Sequence, residues 1–386
     1  MADLFWPGAE RAGTHFDAPS FLNAMVRTEE AWLRVLGRQA DLTGTLTTED
    51  LRDLALGAEA GGNPVLDIAK LVRERSGESI AHRGLTSQDV VDSALMLLAK
   101  ESTETLRQDL AAAIEALISL VVTHADTPMA ARTLTQHAVP TTFGLRAATW
   151  LTGLLDATDD VLALTFPVQF GGAAGTLAAA VELGLDPTLS RSKFAGLLGL
   201  EPALPWHTTR RSITRIGDAY TATTDALARI SNDVLALGRP EVRELSEGTG
   251  GGSSTMPHKQ NPVLSTLIRR AALTTPQLAA ALHAASADQV DERSVGGWHV
   301  EWSTLSELVR RTLVATSQAV DLLTGLKVHT ERMAETAAAS REDLLAEQRT
   351  MATIAGHEPT GDYLGAARSI CDDVVARAEA LLPRLD

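Results

Sequence analysis

Along most of the chain, apolar residues recur at the three- and four-residue spacing of one helix face. Between residues 104 and 123 they are Leu106, Leu110, Ala113, Ile114, Leu117, Leu120 and Val121, a spacing that predicts a long helix. A second run, Ile213, Ile216, Ala219, Ala226, Leu227, Ile230, Val234 and Leu237, ends at the breaker Gly238-Arg239-Pro240. The same rhythm predicts helices over about 19–40, 86–100, 143–163, 262–288, 302–325 and 331–353. Alternating patterns bounded by turn pairs are scarce, which argues against a large parallel sheet. The predicted fold class is all-α.

Alanine is abundant and only 4% of residues are aromatic, so long helices can approach closely in a bundle. Several of these helices are apolar on more than one side. Such a helix is either the centre of a large monomeric core or part of a bundle shared between subunits, and helices this long favour the shared bundle. Breaks in the pattern suggest an N-terminal helical domain over 1–100, a central long-helix bundle over 101–340 and a shortened C-terminal helical region over 341–386. In the last region, Gly356 to Tyr363 reads as a connector before a final helix ending at Leu382.

Composition narrows the function classes. With 45% apolar and 22% charged residues, the chain is neither collagenous nor disordered. Forty-nine acidic against thirty-four basic residues give a net charge of −15, which disfavours attraction to nucleic-acid phosphates or anionic lipid. An anionic substrate therefore needs cations concentrated locally. Cys371 is the single cysteine, so neither an internal disulfide nor a multi-thiolate zinc site is expected. The start, MADLFWPGAERAG, has no basic segment followed by an apolar one, and no run of eighteen apolar residues occurs. These features predict a soluble cytoplasmic protein with no nucleic-acid or membrane partner. The chain has no H-E-x-x-H and no G-x-x-x-x-G-K-[ST], and no metal or other cofactor is expected.

The chemically informative stretch runs from Glu247 to Ser265. Gly248, Gly250, Gly251 and Gly252 make a permissive loop, and Asn261-Pro262 marks the start of the next helix. Ser253, Ser254, Lys259 and Asn261 thus fall on a loop and a helix N-terminus, where backbone N–H groups and the dipole favour an anion. Glycine content alone would fit a surface linker equally well.

The spacing G-S-S-x-M-P-x-K-x-N changes that balance. Matched here by Gly252, Ser253, Ser254, Met256, Pro257, Lys259 and Asn261, it resembles the signature of the fumarase/aspartase superfamily. Two further segments, His82 to Asp89 and Ala131 to Pro140, are similar to that family's first and second regions, and the likeness extends over most of residues 15 to 340. The resemblance implies a homotetramer with a twenty-helix core, each active site being assembled from three subunits. It also implies cofactor-free β-elimination, or the reverse addition, through an aci-carboxylate intermediate. That carbanion is the difficult species, so catalysis must come largely from donors aimed at its oxygens.

Carried over residue by residue, the family's base falls on Ser253, which would need loop closure, backbone donors and Lys259 for its activation. Lys259 and Asn261 would hold the carboxylate beside the reacting carbon, with Ser254 and Met256 next to them in the signature. Thr86, Ser87 and Gln88 are candidate donors to the substrate, although Thr86 with Asp89 also reads as a capping box. Arg132, Arg293 and His299 are candidates for the remaining carboxylates or for structural ion pairs. His82 and His137 lie in matched segments, where each is either a substrate donor, with His137 also a catalytic candidate, or a packing residue. Trp298 and Trp302 share a helix face, and packing is their expected role.

Two departures bear on the substrate. Many members carry histidine directly after Arg-Thr in the second region and glutamate five residues after the signature asparagine. Here those positions are Leu134 and Thr266. Such a pair is useful when a poor leaving group must be protonated as it departs, whereas a carboxylate needs no acid. The segments Thr135 to Leu151, Gln169 to Ala179, Pro205 to Arg210 and Asp291 to Trp302 resemble the 3-carboxy-cis,cis-muconate cycloisomerase branch, the lactonising enzymes of protocatechuate catabolism. In that reaction one substrate carboxylate attacks a double bond intramolecularly while Ser253 would protonate carbon. Gln260 stands where this branch often has arginine, and the C-terminal region is short. The alternatives are elimination of nitrite from a nitrosuccinate-like substrate, an adenylosuccinate-type lyase, which the missing pair argues against, and a catalytically inert scaffold, which the retained signature argues against.

Overall fold

The structure is a computed structural model of residues 1–386, and it describes every residue except Met1, Ala2, Ala40, Thr249, Ser253, Ser254, Pro257, His258 and Asp386. In chain order its main elements are α1 (Ala18–Val35), α2 (Leu51–Gly61), α3 (Val65–Ser76), α4 (Ser87–Thr123), β1 (Pro128–Thr133), β2 (Gln136–Thr142), α5 (Phe143–Leu162), α6 (Ala178–Glu182), α7 (Pro187–Leu198) and α8 (Arg211–Leu237). There follow β3 (Leu245–Ser246), α9 (Val263–Ala287), α10 (Gly297–Gly325), β4 (Lys327–Val328), α11 (Thr330–Ala339), α12 (Arg341–Leu344), α13 (Ala346–Ala355) and α14 (Ala367–Leu381). The all-α class read from the periodicity is the class observed.

Three differences from the sequence reading have physical causes. Residues 86–100 and 104–123 are not two helices but the single helix α4. The polar stretch Lys100 to Glu104 hides this in the pattern. Ser102 and Thr103 within it are nevertheless buried, and the Thr103 hydroxyl donates to the Ala99 carbonyl at 2.8 Å, so their polarity is absorbed inside the packing. Helix α10 begins at Gly297 rather than near 302, and the run 331–353 is divided into α11, α12 and α13. The third difference is a β-hairpin in residues 128–142, whose strands β1 and β2 are too short to give a clear alternating signal. Leu134 (φ 49°) and Thr135 (φ 70°) form its tip, the two-residue turn with both φ positive that matches strand twist.

The chain divides into two compact units. One contains residues 1–105, 163–221 and 275–313, and the other 106–162, 222–274 and 314–386. The core of the first is built around α1, which packs on α2, α3 and α7. Trp32 of α1 meets Phe170 and Phe194 at centroid distances of 5.1 and 5.7 Å, and all three are fully buried. Asp17 starts α1 by accepting from the Ser20 N–H at 2.8 Å, with Pro19 in the first turn. In the second unit α14 packs on α5, while α11 and α12 lie against the hairpin. Its core includes Trp150, whose indole N–H donates to Asp233 at 2.8 Å, and Phe143 edge-on to that ring at 5.7 Å.

Candidate active site

Of the residues singled out by sequence, the first unit holds His82, Thr86, Ser87, Gln88, Arg293 and His299. Ser87 opens α4, and the Asp89 carboxylate organises what surrounds it. Asp89 Oδ2 accepts from the Thr86 and Gly172 N–H groups at 3.0 and 2.9 Å, and Oδ1 accepts from the Gly171 N–H at 2.9 Å. His207 Nε2 lies 3.1 Å from the same Oδ1. One carboxylate therefore ties the start of α4 to the 169–172 segment and to His207. Half of the expected capping box is present: Asp89 caps Thr86, while the Thr86 hydroxyl is bonded to Arg293 Nη2 instead of the Asp89 N–H. Arg293 also reaches the Ala173 carbonyl at 3.3 Å. The structure thus brings Thr86 and Arg293 into direct contact.

One turn further along α4 is a buried ionic cluster. The Arg210 guanidinium, fully buried, is gripped by Asp92 at 2.7 and 2.9 Å and by Glu301 at 2.5 to 3.1 Å. It stacks on the Trp206 ring 4.6 Å from the centroid. Burial opposes the Arg210 charge, but the Asp92 and Glu301 carboxylates outweigh it and hold the group above its ordinary value. Burial likewise pushes the Glu301 carboxyl up, against the pull of Arg210. The Trp298 indole donates to Asp92 at 2.9 Å, so Trp298 combines its expected packing on Trp302, 4.7 Å away, with a polar anchor. Gln88 is 1% exposed, and its amide donates to Asp92 at 3.2 Å and to the His207 carbonyl at 2.9 Å. It thereby ties the first turn of α4 to the His207 backbone. His299 is exposed, with Nε2 2.8 Å from the Gly62 carbonyl. His82 Nδ1 lies 2.6 Å from the Glu29 carboxylate of α1.

The second unit holds Arg132, His137, Met256, Lys259 and Asn261. Ser253 and Ser254 lie outside the described residues. Gly251, just before the signature, and Asn261, its last residue, are joined by reciprocal backbone bonds at 2.9 and 2.8 Å. A Cβ at Gly251 would come within 2.3 Å of the Val263 side chain, so this pairing requires glycine there. A cavity of about 1020 Å³ has a lining that includes Lys259, Gln260, Arg243, Ser246, His329 and Arg332. Ser246 and His329 are bonded at 2.9 Å, and Arg332 is anchored to the Val242 carbonyl at 3.0 Å. Asn261 and Lys259 also line a neighbouring cavity of about 340 Å³, and Met256 is exposed.

Two features here were not readable from sequence. The N-terminus of α9, where the sequence predicts a site for an anion, already has one: the Glu247 carboxylate accepts from the Leu264 and Ser265 N–H groups at 3.1 and 2.7 Å. Arg132 makes a two-pronged ion pair with the buried Glu244 carboxylate at 2.8 and 2.7 Å, which fastens the hairpin to the residue before β3. This is the ion-pair reading of Arg132. His137 faces Arg132 across the hairpin, and its Nδ1 is 2.7 Å from the Ser340 hydroxyl. Sequence reasoning missed Glu29, Asp92, Arg210, Glu244, Glu247 and Glu301. The one available signal was Asp89 and Asp92, three apart on a helix whose neighbouring positions are apolar.

Comparison with known proteins supplies the family. A family profile described as Lyase matches residues 60–275. A nitrosuccinate lyase from Streptomyces davaonensis is 40% identical over 393 residues, covering 90% of this chain and 83% of that protein. A 3-carboxy-cis,cis-muconate cycloisomerase from Bradyrhizobium diazoefficiens is 38% identical, covering 79% and 70%. Among solved structures, a fumarate lyase from Mesorhizobium sp. BNC1 superposes with a TM-score of 0.83 at 26% identity, covering 95% of this chain and 97% of that one. The 3-carboxy-cis,cis-muconate lactonizing enzyme of Pseudomonas putida gives 0.80 at 27% identity, covering 96% and 97%. By fold, by signature and by these relatives, the chain belongs to the lyase family of the fumarase/aspartase superfamily.

Proposed function

We propose that the chain is a cofactor-free cycloisomerase that interconverts 3-carboxy-cis,cis-muconate and a carboxymuconolactone. The observation that carries this reading is the absence of an acid for the leaving group at both expected positions. Leu134 is an apolar side chain, 96% exposed at the hairpin tip, and the Thr266 hydroxyl is spent on the Pro262 carbonyl of its own helix at 2.7 Å. Neither can protonate an amine or hydroxide, which favours a group that leaves or attacks as a weak base. A substrate carboxylate satisfies that condition, and the cycloisomerase relatives support the choice.

In this mechanism a carboxylate of the bound substrate adds to the double bond within the same molecule, and binding in a reactive shape supplies the rate advantage. Electron density moves into the adjacent carboxylate, where Lys259 and Asn261 stabilise the aci-carboxylate. Ser253 delivers a proton to the carbon, and takes it back in the reverse direction. Thr86, Ser87 and Arg293 receive a further carboxylate, with His82, His137 and His299 as additional donors. Assembly into a homotetramer would bring such segments from different subunits together. Large apolar side chains left exposed on the long helices, Val122 at 60% and Leu273 at 64%, fit that assembly.

A second reading is elimination of nitrite from nitrosuccinate, favoured by the 40% identity to the lyase that covers 90% of this chain. Nitrite is also a weak base and needs no acid. Adding each compound to the protein separates the two. Loss of the ultraviolet absorbance of carboxymuconate supports the cycloisomerase, release of nitrite with fumarate formation supports the second reading, and inertness toward both removes them together.

A further inference from the structure

Glu29 is a buried carboxylate with an unusual environment. Its side chain is 0% exposed and its ionic partner among the described residues is His82, with Oε1 2.6 Å from Nδ1. Oε2 is buried without a hydrogen-bond partner. A carboxylate held in this way is costly to the fold, so its place on an otherwise apolar helix face needs an explanation. Trp32, one turn along α1, donates its indole N–H to the Arg83 carbonyl at 2.8 Å. Helix α1 thus pins two consecutive residues of the segment that leads to Thr86. His82 itself has φ 66°, a left-handed conformation uncommon for a residue that carries a side chain.

We propose that Glu29 is a positioning residue that turns His82 into a carboxylate anchor for the substrate. This rests on the functional reading above, in which the substrate carries several carboxylates. The Nδ1 bond to Glu29 fixes the ring plane and leaves Nε2, which has no partner among the described residues, as the edge offered to ligand. The His82 side chain is 17% exposed, so that edge is reachable. With substrate bound, the ring lies between two carboxylates and bridges them as an imidazolium, donating from both nitrogens. The chain lacks the His–Glu pair common in its family at Leu134 and Thr266, and the Glu29–His82 pair does not replace it. It orients an anionic end of the substrate rather than protonating a leaving group.

The test is a double-mutant cycle on the full-length assembled protein, with tricarballylate, a non-reacting tricarboxylate, as the titrant. Glu29→Gln and His82→Gln are each expected to weaken its binding by roughly 10-fold, the value of one charge-assisted hydrogen bond. The double variant is expected to be no weaker than His82→Gln alone, because Glu29 acts only through His82. With the substrate that the protein turns over, KM should rise by the same factor while kcat falls less. Additive losses, or a Glu29→Gln variant that loses thermal stability yet binds tricarballylate as the wild type does, would show a purely structural role. Should Glu29→Gln not fold, Glu29→Asp keeps the charge one methylene short of the ring, and unaltered affinity in that variant would also overturn the proposal. If the wild-type protein transforms neither substrate, the functional reading fails while the titration still decides the anchor; no binding of tricarballylate by wild type sinks it.

Discussion

Two regions of the molecule carry the candidate chemistry, and they are built on opposite plans. The segment from His82 to Asp92 is held from every side: Asp89 is bonded to three backbone N–H groups and faces His207, and Arg210 is closed between Asp92 and Glu301. In the second region, the signature segment, the described contacts include the backbone bonds that join Gly251 to Asn261, and Lys259 and Gln260 are exposed. Rigid donors suit a part of the site that must recognise fixed carboxylates. In the proposed reaction, a glycine-rich segment suits the residues that would approach the reacting carbon and then release product. The difference teaches that substitutions in the first region should act on stability and binding, and those in the second on turnover.

The largest expected effect tests the loop. Ser253→Ala should lower turnover by about 10³-fold or more with assembly and helical content unchanged, measured by steady-state kinetics beside circular dichroism. Activity near wild type would place the proton donor elsewhere. The rigid region should respond in the opposite manner. Arg210→Leu leaves Asp92 and Glu301 buried without a counter-charge, and unfolding free energy should drop by roughly 3–5 kcal/mol, read from denaturant titration. A variant as stable as wild type would mean that the cluster is not closed as described.

A smaller effect concerns pH. Burial depresses the pKa of His124 from its ordinary 6.5, so the unfolded chain binds the proton more readily than the folded one. Stability from this group is complete above about 6.5 and declines as pH falls below that value toward the folded pKa. Comparing melting temperatures at pH 7.5 and 5.5 should show a decline that His124→Gln partly removes; an unaltered decline would assign it to other groups. The smallest effect is expected at the hairpin tip. Leu134→Ala should change kcat by less than about twofold, since this position has no acid to lose. A large fall would show that the tip takes part in the reaction.

The helices were legible because burial of one face imposes the apolar period directly on the sequence, as in α8 and α9. The hairpin was not, because six or seven residues give too little alternation and its positive-φ tip is made by Leu134 and Thr135 rather than by glycine or asparagine. Of the candidate site, the signature and the Thr86-Ser87-Gln88 segment could be singled out because each is contiguous. The Arg210 cluster was not: Arg210 lies 118 residues from Asp92 and 91 from Glu301, and nothing in the local pattern distinguishes a buried carboxylate from a solvated one. The same holds for Glu29, 53 residues before His82.

The central claim is that Ser253 moves a proton to carbon while a substrate carboxylate makes its bond without an acid. The most direct measurement is the reaction of 3-carboxy-cis,cis-muconate in deuterated water, followed by proton NMR of the product. One deuterium is expected on the carbon beside a carboxylate with the wild-type protein, and no product with Ser253→Ala. Unchanged substrate with the wild type, or the same labelled lactone from the alanine variant at a comparable rate, would contradict it.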